Sequence, residues 1–204
     1  FIPMTQQDFQ VQRIKDVYAK KGYNFFENGA YNLNIGGVRS LNRVANSFDD
    51  FIYCIFKDNS GAWIVKSWKA TTDAGTYWLK NPMNNKGTAL LVPNQYTKGW
   101  RIGLHQGKYK ALVQNKEVSV YRDTNKNEIL DFNQSSIDKG FFGINIHRSN
   151  PSKTSIAVEK WSAGCQVFAN PKDFQEFLDI CDISARKYGD EFTYTLIEEQ
   201  DFNV

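Results

Sequence analysis

"INIHRSNPSKTSIAVEKWSAGCQVF", residues 144–168, holds one of the chain's two histidines, His147, and one of its three cysteines, Cys165. Its opening completes the run "GFFGINIHR", aromatic and β-branched enough to read as a strand. A loop of small and polar residues follows, and then "SAGC". On either side the chain is organised the same way. "YNLNIGGVRS", "FIYCIFK", "AWIVKSWKA", "ALLVPNQY", "WRIGLHQGK", "KALVQ", "VSVYRD" and "FTYTLIEE" are short β-favouring runs separated by Gly, Asn and Asp turn signals.

Helical signals fall only near the ends. "TQQDFQVQRIKDVYAKKG" opens with a Thr5 and Asp8 capping pair and closes at Gly22. "NPKDFQEFLDICDISARKYG" has Asn170 as N-cap, Pro171 at the first helical position and Gly189 at the C-terminal cap. Strands crowded together without intervening helices favour a mainly β (α+β) fold, a mostly antiparallel sandwich or barrel with one helix near each end. Residues 1–30 form an N-terminal helical segment and 31–204 the main domain on this reading.

Composition narrows the function classes. The 204 residues suit one domain with a full core. With 25 basic against 22 acidic residues and no run of like charge, nothing suggests a nucleic-acid track or an anionic-lipid patch. The longest apolar stretch, "FIYCIF", is far too short to span a bilayer. The chain is therefore expected to be soluble and monomeric, without nucleic-acid or membrane partners. It starts at Phe1 and carries no export signal, so it is expected to be a processed or trimmed product. Three cysteines without CxxC spacing argue against both a disulfide framework and a structural zinc site. No metal or cofactor is expected.

Two of those cysteines have structural explanations. Cys54 lies within the buried-strand pattern "FIYCIFK". Cys181 shares one helical face with Phe174, Phe177 and Leu178. Cys165 has no such place. A cysteine attacks acyl carbons as thiolate, and an imidazole can take its proton, so His147 and Cys165 are candidate base and nucleophile. Gly164, just before the nucleophile, lets the backbone bend sharply and aim N–H groups at a developing oxyanion.

These residues resemble the L,D-transpeptidase family, also called the YkuD-like fold. Its catalytic stretch is a histidine, a loop, then Ser or Thr, any residue, Gly and Cys; His147, Ser162, Gly164 and Cys165 match it in order and spacing. "KATTDAGTYWLKNP", residues 69–82, resembles a degraded form of the family segment in which a Thr- and Gly-containing turn leads into a strand. The resemblance covers roughly residues 60–170. It departs from the family at Ala163, where a histidine is common, and at Gln166, after which the usual Arg or Asn is absent. It implies attack of the thiolate on the third residue of a peptidoglycan stem peptide, loss of the terminal D-alanine and a thioester acyl-enzyme. An amine acceptor then gives a crosslink, and water gives a trimmed stem. A backbone carbonyl commonly orients the histidine in that family. The place of action implied is the periplasm or cell wall.

Other residues carry open alternatives. Arg148 either binds a substrate carboxylate through its planar fork or lies on the surface. His105 is either a satisfied strand histidine or a neighbour of the cysteine across the sheet. Trp161 either walls the cleft or packs in the core, and Gln166 is the further candidate for substrate contact. "DTNKNEILDFNQ" has alternate oxygen-bearing residues from Asp123 to Asp131, as a calcium loop has, but an Asn- and Asp-rich turn explains them equally. A sortase-like order of His105, Cys165 and Arg186 is matched poorly by "SAGC". Papain-like peptidases are excluded because no histidine follows Cys165. A non-catalytic cell-wall-binding domain on the same fold, or a phage or secreted peptidoglycan peptidase using the same pair, stays open.

Overall fold

The computed structural model describes residues 4–203. It is mainly β. The strands are β1 (Asn34–Arg39), β2 (Asp50–Lys57), β3 (Trp63–Thr71), β4 (Thr88–Leu91), β5 (Gln95–His105), β6 (Tyr109–Gln114), β7 (Val118–Asp123), β8 (Asp138–Gly140), β9 (Ile146–Arg148), β10 (Gln166–Phe168) and β11 (Glu191–Glu198). The α-helices are α1 (Gln6–Lys21), α2 (Thr76–Lys80) and α3 (Pro171–Tyr188).

Eight strands close a barrel in the order β1-β11-β5-β6-β9-β10-β3-β2, and β4-β7-β8 form a separate small sheet. Most pairings are antiparallel; β1 with β11 and β9 with β10 are parallel. The first parallel pair closes the barrel by bringing the last strand beside the first, a long-range pairing that no local signal announces. "ALLVPNQY" is divided between β4 and β5, because Pro93 has no N–H to donate to a ladder. "GFFGINIHR" is divided too: its start belongs to β8 of the small sheet and its end to β9 of the barrel.

The helix ends follow their sequence signals. The Asp8 amide donates to Thr5 Oγ1 at 3.0 Å, the Thr5 amide to Asp8 Oδ2 at 3.3 Å, and Gly22 closes α1 in the left-handed region. The face Val11, Val17, Tyr18 packs on Tyr53, Ile55 and Ile197 of the barrel. Asn170 Oδ1 accepts from the Lys172 amide at 2.8 Å to cap α3. Phe174, Phe177, Leu178 and Cys181 of α3 join Trp68 and Phe168 in the main core. Each of the Phe and Leu side chains buried there stabilises the fold by roughly 1.5–3 kcal/mol. Cys54 and Cys181 are both fully buried, as their patterns predict. Among the described residues, no helix is long and apolar enough to cross a membrane.

One weak place in the barrel wall positions the site. β9 and β10 are three residues each, and β9 meets β6 at a single register pair, Leu112 with Ile146. The chain on both sides of this seam leaves the ladder early, so the segments 141–145 and 149–165 are free to wall a cavity above it.

Candidate active site

The parallel pairing of β9 with β10 brings the two candidate residues together. Val167 is the register partner of His147, and Cys165 lies two residues before Val167, so side chains alternating along the strand leave Cys165 and His147 on the same face. That face points away from the barrel interior, which takes Ile146 and Phe168 instead. Cys165 and His147 border one cavity of about 390 Å³, together with Trp78, Met83, His105, Asn145, Lys160 and Trp161.

His147 is 3% exposed and rigidly held. Its Nδ1 lies 2.7 Å from the carbonyl oxygen of Arg148, which can only accept, so Nδ1 carries the proton and Nε2 the lone pair. Tyr109 donates its hydroxyl to the same carbonyl at 3.1 Å. Burial pushes the His147 pKa down to about 3, with the neighbouring His105 adding to the effect and the Arg148 carbonyl opposing it. The resting imidazole is neutral.

Cys165 is half-buried, its Sγ accepting from the Asn145 amide at 3.4 Å and donating to the Gly143 carbonyl at 3.3 Å. Burial pushes its thiol up to about 11, partly offset by the Asn145 N–H. Neutral thiol and neutral imidazole are therefore the resting states, and Sγ is bonded to the Gly143 carbonyl rather than to His147.

Ser162 and Gly164 shape the cysteine loop. Ser162 is 1% exposed; its Oγ lies 2.9 Å from both the Asp73 and Cys165 carbonyls and accepts from the Gly164 amide at 3.1 Å. Gly164 has φ +125°, and a Cβ there would meet the Ala89 carbonyl oxygen at 2.3 Å, so only glycine fits. The expectation that Gly164 supplies an oxyanion donor needs correcting, because Ser162 already takes its N–H. The amides of Ala163 and Cys165 donate to no protein acceptor among the described residues.

The turn beneath this loop is a buried network that the sequence did not announce. The Gly75 amide donates to the Ser162 carbonyl at 2.9 Å, and a Cβ on Gly75 would strike the Glu159 carbonyl oxygen at 1.9 Å. Arg39, 1% exposed, sets Nε 2.7 Å from Asp73 Oδ1 and donates to the carbonyls of Leu91 and Thr72 at 2.8 and 2.7 Å. Asp50 Oδ2 accepts from the Thr72 amide and hydroxyl at 2.8 and 2.7 Å. Burial, and then the charge of Asp73, raise Asp50 to about 7. Asp49, Asp50 and Asp73 form one acidic cluster, whose charge the Arg39 guanidinium offsets. The segment "KATTDAGTYWLKNP" thus makes a cradle and enters the short helix α2, where a strand was expected.

The remaining candidates separate clearly. His105 ends β5 and stacks on His147, the ring centroids 3.9 Å apart and the planes 15° apart. Trp161 is 40% exposed and walls the cavity, which settles its two alternatives against core packing. Arg148 does not line the cavity; its guanidinium carbon sits 3.9 Å over the Tyr109 ring and NH1 donates to the Ser149 carbonyl at 3.2 Å. Gln166 is a second correction. It is fully buried inside the barrel, accepting from the Tyr194 hydroxyl at 2.8 Å, because it is adjacent to Cys165 in the chain and so faces the opposite way.

Asn145 and Lys160 are site residues that sequence reasoning missed. The alternation in "NIH" was a usable signal for Asn145, two residues before His147 on the same strand face. Lys160 gave none; its Nζ lies 4.3 Å over the Tyr77 ring at the cavity wall, where no acidic side chain among the described residues lines the space. The loop from Asp123 to Asp131 spends its oxygens internally: Asp123 accepts from the Asn125 and Asp131 amides at 3.3 and 2.8 Å, and Asn127 from the Ile129 amide at 3.1 Å. These are the bonds of an Asn- and Asp-rich turn.

Comparison with family models, with curated proteins and with solved structures gives no match for this chain.

Proposed function

We propose that this chain is a cysteine acyltransferase or peptidase of the L,D-transpeptidase type, acting on peptidoglycan stem peptides in the periplasm or cell wall. The observation that supports it most is the state of His147: a backbone carbonyl holds Nδ1–H, leaving Nε2 unprotonated in a ring that borders the same cavity as Cys165. In this mechanism the thiol proton passes to Nε2 as Sγ attacks the acyl carbon. Collapse of the tetrahedral intermediate breaks the C–N bond, and the leaving amine takes the proton from Nε2. A thioester on Cys165 remains, and an amine or water resolves it. Lys160, the cation in a cavity wall without acids, meets a stem carboxylate in place of Arg148.

Mass analysis of muropeptides after incubation tests this: wild type should give trimmed or crosslinked stems, and Cys165→Ala should give neither. A protein that leaves every stem intact, yet binds peptidoglycan equally well with Cys165→Ala, is the cell-wall-binding module instead.

A further inference from the structure

The two stacked histidines are held in opposite tautomers. The Gln114 amide can only donate, and it lies 3.1 Å from Asn145 Oδ1, which fixes the orientation of the Asn145 side-chain amide. Asn145 Nδ2 then faces His105 Nδ1 at 3.0 Å and must be the donor. His105 Nδ1 is therefore unprotonated in the neutral ring, and the proton sits on Nε2. His147 is the reverse, with the proton on Nδ1 and the lone pair on Nε2. Neither Nε2 has a protein hydrogen-bond partner among the described residues, and both rings border the cavity of Cys165. One imidazole thus offers a base to that cavity and its neighbour offers a donor.

We propose that His105 is a catalytic residue of the acyl transfer, donating Nε2–H to the oxyanion that forms when Cys165 attacks. This rests on the acyl-transfer reading above and adds to it a side-chain oxyanion donor, in a loop whose Gly164 amide is already bonded to Ser162. In the step, the Sγ–C bond forms and the carbonyl π pair moves to oxygen. His105 stabilises that oxygen by a hydrogen bond without giving up its proton, since His147 has taken the thiol proton. The C–N bond then breaks as the C=O bond re-forms, and His147 protonates the amine. A neutral imidazole suits this donor task, because its proton is held firmly enough to stay. Burial, with Arg148 and Lys108 nearby, lowers the His105 pKa and keeps the ring neutral. Asn145 is the positioning residue, setting the tautomer through its side chain while its backbone amide touches Cys165 Sγ.

Two reactions of the same thiol separate this role from a structural one. Acylation by 4-nitrophenyl acetate, read as the nitrophenolate burst, passes through an oxyanion; alkylation by iodoacetamide does not. His105→Phe keeps a flat ring over His147 but has no donor, and His105→Gln keeps an N–H. The Phe variant should lose about 10²-fold in acylation, the usual effect of one oxyanion donor, while alkylation stays within about twofold, and the Gln variant should recover most of the loss. Equal loss in both reactions, or no loss of acylation, overturns the proposal. The ester carries no peptide, so wild type that acylates here yet leaves every stem peptide intact contradicts the peptidoglycan reading alone. ¹⁵N shifts of the two histidines in wild type at pH 7 give a check that needs no variant: a proton on Nδ1 of His105 would also overturn it.

Discussion

His147 Nδ1 lies 2.7 Å from the carbonyl oxygen of Arg148, the next residue in the chain. The imidazole and the carbonyl that orients it therefore belong to one short strand, and the ring cannot turn without giving up its Nδ1–H bond. His147→Gln removes the proton acceptor but leaves a side chain of similar size. Its kcat/KM for stem peptide should fall by about 10²–10⁴-fold, the usual share of a general base. A fall below threefold would mean that His147 does not take the thiol proton.

The Cys165 thiol itself should behave as a half-buried neutral group. With Cys165 pushed up to about 11 and His147 down to about 3, alkylation by iodoacetamide should climb steadily with pH from 7 to beyond 9. Cys54 and Cys181, both 0% exposed, should stay unlabelled in brief treatment, by peptide mapping. A rate that levels off near pH 7 would indicate a preformed thiolate–imidazolium pair.

Gly164→Ala tests the cysteine loop. At φ +125° a Cβ is strained by about 1–3 kcal/mol, and its 2.3 Å approach to the Ala89 carbonyl forces that backbone or the loop to move. The urea midpoint should fall, and acyl transfer should fall further than the stability loss accounts for. Unchanged activity would show that the loop geometry around Cys165 is not needed.

The sequence was most informative where the determinant is local. The capping pair Thr5 and Asp8, and Asn170 with Pro171, are short-range hydrogen-bonding patterns, and both helices begin there. The sequence grouped His147 with Cys165, and both border one cavity, while Asn145 was recoverable from alternation. What escaped was set by contacts distant in sequence. Nothing in "NIGGVR" reveals that Arg39 turns inward to meet Asp73, because its partner lies in the turn after β3, distant in sequence. Gln166 was misplaced because closeness to Cys165 in the chain says nothing about which strand face it takes. The small sheet takes only Gly140 of "GFFGINIHR" and the barrel only Ile146–Arg148, for the same reason: pairing partners, not local propensity, decided it.

The Arg39 network gives a stability signature. The Asp50 pKa is raised from an unfolded value near 3.9 to about 7, so the folded state holds the extra proton between these values. Its contribution is full below about pH 4 and is lost as pH rises through about 7. Urea unfolding from pH 4 to 8 should show this downward component, and Asp50→Asn should flatten it whatever its absolute cost.

Arg39→Met leaves Asp50 and Asp73 buried without their cation. Breaking such a pair costs about 3–5 kcal/mol, and the midpoint at pH 7.5 should drop accordingly. A loss below 1 kcal/mol would show that the buried charge is compensated elsewhere.

The most direct test of the central claim is the intact mass of the protein after rapid quench with a tetrapeptide stem, followed by peptide mapping. Wild type should carry an added tripeptide acyl mass, labile to hydroxylamine and mapped to Cys165, with D-alanine released in equal amount; Cys165→Ala should carry none. Release of D-alanine by Cys165→Ala at the wild-type rate, or an acyl mass on Cys54 or Cys181, would contradict the account.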